Sequence, residues 1–103
     1  VVVDKNNFAL YFSRNFIPYD MVNAPLTESA FKKNIYYKHI GLYVYRRKYL
    51  MQFAKMKKSY LENSEKLEQL RILENGERIK IVITKKDSFS VDTKTDLKNL
   101  IGI

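Results

Sequence analysis

The segment His39-Ile40-Gly41-Leu42-Tyr43-Val44-Tyr45 constrains the fold more than any other. Its residues alternate strictly. Ile40, Leu42 and Val44 fall on one side of an extended chain, and His39, Gly41, Tyr43 and Tyr45 on the other. The pattern predicts a strand whose aliphatic side is core and whose other side carries an imidazole and two phenols. Gly41 leaves a gap between them, which lets a ligand or another backbone approach closely.

The flanking signals are equally local. Val1-Val2-Val3 is β-branched, Lys5-Asn6-Asn7 is a turn with an Asn able to take positive φ, and Phe8 to Phe12 reads as a second strand. Together they predict a β-hairpin ending at Ser13-Arg14. Residues 15–36, bracketing Pro18 and Pro25, are irregular, with Phe31 to Asn34 as one helical turn. Tyr49, Leu50, Phe53, Ala54 and Met56 predict an amphipathic helix over 47–57. Ser59 with Glu62 three residues on is a capping box. It opens a second helix that runs through Leu61, Leu67, Leu70, Ile72 and Leu73 to Glu74, where Asn75-Gly76 stops it. Arg78 to Thr84 alternates as a further strand, and 87–90 is a loop. A last helix follows, capped by Asp92 or Thr93 with Asp96 near N3, and buries Leu97, Leu100 and Ile101. The order β-β-loop-β-α-α-β-α belongs to the α/β class.

Composition narrows the chemistry. With no Cys and one His, the chain holds no disulfide, no thiolate zinc site, no Cys nucleophile and no multi-His metal centre. A hydrophobic share of 46% argues against disorder. At 103 residues the chain is one small domain or part of a larger one; it does not begin with Met, and the expectation is a piece of something longer. No apolar run reaches the roughly 18–20 residues of a membrane helix, and no signal peptide opens the chain. The expected compartment is the cytoplasm, with no membrane partner. The net charge of +8 gathers most tightly at Arg46-Arg47-Lys48 and at Lys55, Lys57 and Lys58, within the expected helical stretch, with Lys48, Lys55 and Lys58 at helical spacing. A solvated face explains it. A nucleic-acid patch is the alternative, but no recognised binding motif accompanies it.

Several side chains are candidates for chemistry. Glu62, Glu65 and Gln69 share one side of the expected helix, with Glu68 nearby. They are either solvated charge or a rim of donors and acceptors for a polyol. Ser13-Arg14 offers a hydroxyl and a guanidinium able to fork onto carboxylate or phosphate. His39 has no Asp or Cys beside it in sequence and suits a hydrogen-bonding role. Asp92, where a loop enters a helix, is a cap or one carboxylate of a magnesium site. No Gly-rich phosphate loop and no nucleophile triad can be assembled. The residues alone describe a binding half without a complete catalytic centre.

Four blocks then carry a family resemblance. They are Val2-Val3-Asp4 with Ala9-Leu10-Tyr11-Phe12-Ser13-Arg14 and Ile17-Pro18-Tyr19-Asp20; Lys38-His39-Ile40-Gly41-Leu42-Tyr43-Val44-Tyr45-Arg46; Leu61-Glu62 and Glu65 with Leu67 through Gly76; and Val91-Asp92-Thr93 with Asp96-Leu97. In this order they resemble the C-terminal part of the 3-deoxy-manno-octulosonate cytidylyltransferases, the CMP-Kdo synthetases. Ser90 stands where that family usually has Gly, and Met21 to Tyr37 does not match closely.

The resemblance implies the C-terminal half of a nucleotide-diphospho-sugar transferase-like, Rossmann-like fold with a β-hairpin dimerisation element. Residues 1–37 would be the dimerising part of a single partial domain, and 38–103 its sugar-binding α/β part. It implies CTP and Kdo as substrates, CMP-Kdo and pyrophosphate as products for lipopolysaccharide synthesis, Mg2+ as cofactor, and a homodimer. Arg14 would hold the Kdo carboxylate, and His39, Tyr43, Glu65 and Gln69 would line the sugar site. Ser13, Gly41, Glu62 and Glu68 are further candidates there, and Asp92 would ligate magnesium. The family's CTP loop and its other metal carboxylate lie in an N-terminal half that this chain lacks, so the chain alone is expected not to turn over CTP. The alternative is a non-catalytic remnant that only dimerises. Nucleic-acid binding ranks behind both and is not expected.

Overall fold

A computed structural model describes residues 1–21, 36–86 and 93–101. Among them are two short strands, β1 (Val2–Val3) and β2 (Ala9–Tyr11), and four helices: α1 (Arg47–Lys55), α2 (Tyr60–Glu65), α3 (Leu70–Glu74) and α4 (Lys94–Ile101). The result is a small α/β structure with a two-stranded antiparallel sheet.

The hairpin forms where its sequence places it. Asp4 accepts from the Asn6 and Phe8 N–H groups at 2.8 and 2.9 Å, and Asn7 turns the chain with φ 63°. Val2 pairs with Tyr11 and Val3 with Ala9, with an irregularity between the two pairs. Phe12 and Leu70, 1% and 0% exposed, centre the core, joined by Val1, Ala9 and Leu67. Leu61, Leu73, Ile79 and Ile81 pack against them, so the core lies between the hairpin and the α2–α3 pair.

Helix ends follow their local chemistry. Ser59 Oγ accepts from the Glu62 N–H, and the Glu62 carboxylate accepts from the Ser59 N–H, which completes the capping box. Thr93 and Asp96 repeat the device at α4, at 3.1 and 3.0 Å. The predicted choice of cap thus falls on Thr93, while Asp92 lies outside the described residues. At the end of α3 the Gly76 N–H reaches the Leu73 carbonyl and the Glu77 N–H that of Ile72, with Gly76 at φ 79°. This is a Schellman stop.

Four expectations need correction. The predicted second helix is not continuous. It breaks at Lys66, which takes the left-handed conformation at φ 56°, and resumes at Leu70. The cause is distant in sequence: the Arg14 guanidinium donates to the Glu65 and Lys66 carbonyls at 2.7 and 2.9 Å, taking acceptors that a continuing helix would use. The break turns Leu67 and Leu70 together into the core.

His39 to Tyr45 is not a strand, and its burial is the reverse of the expectation. Leu42 and Val44 are 81% and 96% exposed, while His39, Tyr43 and Tyr45 turn inward, Tyr45 stacking on Phe53 at 5.8 Å. Alternation defines two sides but not which one finds a partner, and here the aromatic side packs on α1. Arg78 to Thr84 likewise forms no full strand. It docks on the hairpin only through Ile79–Ile81, by Ala9 N–H to Ile79 O at 2.8 Å and Ile81 N–H to Asn7 O at 2.7 Å. Arg78 and Lys80 flank the Phe8 ring at 4.1 and 4.6 Å, and Val82 and Ile83 beyond are exposed. Finally, Leu97 on α4 is exposed rather than buried. The predicted helical turn at 31–34 and the loop at 87–90 lie outside the described residues.

Candidate functional site

The segment joining α2 and α3, residues 65–69, carries the candidates Glu65, Glu68 and Gln69 and receives Arg14. Arg14 arrives from the end of the hairpin, its Nε and Nη2 on the carbonyls of Glu65 and Lys66, and its own N–H 3.4 Å from the Glu65 carboxylate. Tyr11, a residue the sequence reading did not single out, lies within electrostatic reach of that carboxylate. Burial first, and Glu65 after it, push the Tyr11 phenol up. The strand register gives the only hint of Tyr11, since it lies two residues before Ser13 and three before Arg14 on the same hairpin arm.

His39 packs edge-on against Phe12 at 5.7 Å. Burial lowers its pKa below the ordinary value, and the positive charges of the N-terminus, Arg14 and Lys38 lower it further, so the imidazole is neutral at pH 7. Its Nδ1 is buried without a hydrogen-bond partner. Tyr43 is half-buried; desolvation raises its phenol pKa, and Tyr45 and Glu68 add to the rise. Glu68 therefore stands within electrostatic reach of Tyr43 and Tyr45. Gln69 precedes the first residue of α3 and is 5% exposed, and its amide Nε2 has no partner.

Other candidates are placed differently. Glu62 does not share a face with Glu65 and Gln69, because the helix that would align them is broken. It is buried and bound at both oxygens by Arg71, Nε to Oε2 at 2.8 Å and Nη2 to Oε1 at 2.6 Å. That bond, above all, holds the Glu62 carboxyl below the usual carboxylate range. Arg71 further donates to the Phe53 and Met56 carbonyls and lies 4.6 Å from the Phe53 ring centre, which clamps the end of α1 to α2 and α3. No sequence signal finds this pair. Nine residues apart on one helix, Glu62 and Arg71 would point to opposite sides. Ser13 Oγ accepts from the Asn15 N–H at 3.0 Å. Gly41 is exposed, and nothing lies within 4 Å of a Cβ placed there, so no close approach requires its lack of a side chain. Asp92 lies outside the described residues, among which no group of three or more acidic or imidazole side chains is placed to hold a metal ion. No described helix is long and apolar enough to cross a membrane.

As a chemical surface, the 65–69 turn combines a cation, two carboxylates, a neutral imidazole, phenols and a buried amide. Such a set offers both donors and acceptors, as hydroxyl groups require.

A profile of the cytidylyltransferase family matches residues 1–79. Similar curated proteins are each named 3-deoxy-manno-octulosonate cytidylyltransferase. The one from Geotalea uraniireducens is 53% identical over 105 residues, covering 98% of this chain and 41% of its own length. The one from Thermodesulfovibrio yellowstonii is 49% identical over 98 residues, covering 95% and 38%. The one from Fusobacterium nucleatum is 44% identical over 102 residues, covering 99% and 38%. The chain thus spans about two fifths of the length of these relatives. With more than half of its residues matched by the profile, and all four sequence blocks inside the aligned span of its relatives, the chain belongs to the cytidylyltransferase family.

Proposed function

We propose that this chain is the sugar-binding part of a cytidylyltransferase that joins Kdo to CTP, giving CMP-Kdo and pyrophosphate for lipopolysaccharide synthesis. The observation that carries the reading is the Gln69 amide, buried and without a partner on the turn that also receives Arg14. A buried donor left unpaired costs about 1–3 kcal/mol. A hydroxylated ligand that supplies an acceptor removes that cost. His39 Nδ1 is a second buried atom in the same condition.

In this reading Arg14 keeps two nitrogens on the Glu65 and Lys66 carbonyls and turns Nη1 to the sugar carboxylate. Tyr43, Glu65, Glu68 and Gln69 read hydroxyls, with His39 as a neutral hydrogen-bonding group. Glu62 is structural. The anomeric oxygen of the sugar then attacks the α-phosphorus of CTP; the new P–O bond forms as the bond to pyrophosphate breaks. The residues here orient the nucleophile, which is where such transfers gain much of their rate. Magnesium would neutralise the triphosphate charge, and Asp92 is a hard oxygen donor of the kind it takes, together with water and substrate phosphates.

The remaining part of the family's sequence, about three fifths of the relatives' length, would cover the exposed side chains of Leu42, Val44 and Val82. A homodimer would form through Leu10, Phe16, Tyr19 and Met21, which are exposed on the hairpin and the segment after it. The proposed compartment is the cytoplasm. That same apolar patch favours a second reading, a non-catalytic module that only dimerises.

Titration of the chain with Kdo, followed by calorimetry, separates the two. The first reading expects saturable binding that Gln69→Leu and Tyr43→Phe weaken without lowering the urea midpoint. Arg14→Ala is a poor probe alone, because it also releases the Lys66 turn. Absence of saturable binding selects the second reading. Kdo-dependent pyrophosphate release by the chain alone would overturn the requirement for the rest of the enzyme.

A further inference from the structure

We propose that the outer face of α1 is a contact surface for an anionic phospholipid bilayer. In this arrangement Met51 sits at the headgroup boundary, and Arg47, Lys48 and Lys55 lie on lipid phosphates. The proposal does not depend on the sugar-binding reading, since it concerns a different face.

The charge distribution is one-sided. No Asp or Glu stands between Glu28 and Glu62, while Arg46, Arg47, Lys48, Lys55, Lys57 and Lys58 all fall in that interval and all are exposed. Among the described residues none of the six forms an ion pair, although Lys58 lies within electrostatic reach of Glu62. On α1 the side that packs inward carries Phe53, which stacks on Tyr45 and lies under Arg71, and half-buried Tyr49. The opposite side is the stripe Arg47, Met51, Lys55, four residues apart in turn, with Lys48 and Gln52 beside it. These five residues line one shallow groove, and Leu50 and Met51 are exposed.

Cations flanking a solvent-facing apolar side chain on an amphipathic helix make the pattern of a helix that lies in a membrane interface. Lysine and arginine stems extend their charge toward phosphates while the apolar centre leaves water. α1 carries three cations, Arg47, Lys48 and Lys55, and Arg46, Lys57 and Lys58 flank its ends; a local cluster of four to eight basic residues favours anionic lipid. Nucleic acid is the poorer fit, because no aromatic side chain lines the groove for base stacking. The lack of a spanning helix bears on crossing a bilayer, not on resting against one.

The test is sedimentation of the chain with phosphatidylcholine vesicles, with and without about one third phosphatidylglycerol. Binding is expected only with the anionic lipid, and it should weaken as salt rises. Lys48→Ala with Lys55→Ala should lower the partition coefficient about fivefold per cation removed, close to thirtyfold together. Met51→Gln, which leaves the charge unchanged, should also lower it, which a purely diffuse charge attraction would not produce. All three positions are exposed, and unchanged far-UV circular dichroism checks that α1 persists. Equal binding to neutral and anionic vesicles, no binding to either, or indifference to the paired lysine substitution would each overturn the proposal. So would capture by a single-stranded oligonucleotide, lost in the same lysine variant, at a salt concentration where vesicles do not bind.

Discussion

Replacing Arg71 with Met probes the joint that holds three helices together. The substitution keeps an unbranched stem, shortens the side chain and removes its charge. Glu62 then stays buried with no cation on either oxygen, where Arg71 now sits at 2.8 and 2.6 Å. Breaking a buried pair from one side costs about 3–5 kcal/mol. The carbonyls of Phe53 and Met56, bonded at 3.4 and 3.3 Å, lose long and weak donors, and the Phe53 ring loses its cation. Those losses add about 1 kcal/mol. The expected penalty of about 4–6 kcal/mol is comparable to the whole stability of a small domain, about 5–15 kcal/mol.

Urea unfolding followed by far-UV circular dichroism measures the penalty directly. The companion variant, Glu62→Met with Arg71→Met, fills the same space with apolar groups and buries no charge. It should recover at least about 2 kcal/mol of the loss, because replacing both partners avoids the stranded carboxylate. If Arg71→Met costs under about 1 kcal/mol, or if the double variant is as damaged as the single one, the pair does not hold the α1–α2–α3 joint and the reasoning fails.

Three further outcomes are expected. Leu70→Ala, at a site with 0% exposure, should lower stability by about 2–5 kcal/mol in the same unfolding assay, and a loss below 1 would show that the core centre lies elsewhere. Gly76→Ala should cost about 1–2 kcal/mol from backbone strain alone, since φ is +79° and nothing crowds the added methyl; a neutral result would mean that the turn relaxes out of the left-handed region. His39 has its pKa depressed in the fold, so the unfolded chain binds more protons between the depressed value and the ordinary 6.5. Stability should therefore fall as pH drops from 7 through that window, and His39→Asn should flatten the slope; an unaltered pH profile in His39→Asn would remove burial of the imidazole as the cause.

The features legible from the sequence were those settled within a few residues. The Asn7 turn, the Ser59–Glu62 and Thr93–Asp96 caps and the Gly76 stop each depend on one side chain or one φ acting on backbone at most five positions away. The blocks that mark the cytidylyltransferase family are likewise readable without coordinates. So was the grouping of Arg14 with Glu65, although only through the resemblance.

What only the tertiary structure decided involved partners far apart in the chain. Arg14, more than fifty residues upstream, takes the carbonyls of Glu65 and Lys66 and breaks a helix that looked continuous. That break sends Glu62 to Arg71 instead of to a shared polar rim. Over 42–45 the alternation holds, yet the aromatic side is the one covered, because Phe53 offers Tyr45 a ring to pack on while Leu42 and Val44 stay exposed; at the start of the segment Ile40 is half-buried and Gly41 exposed. Periodicity records which residues face together; only the arrangement of the other elements determines which face is buried.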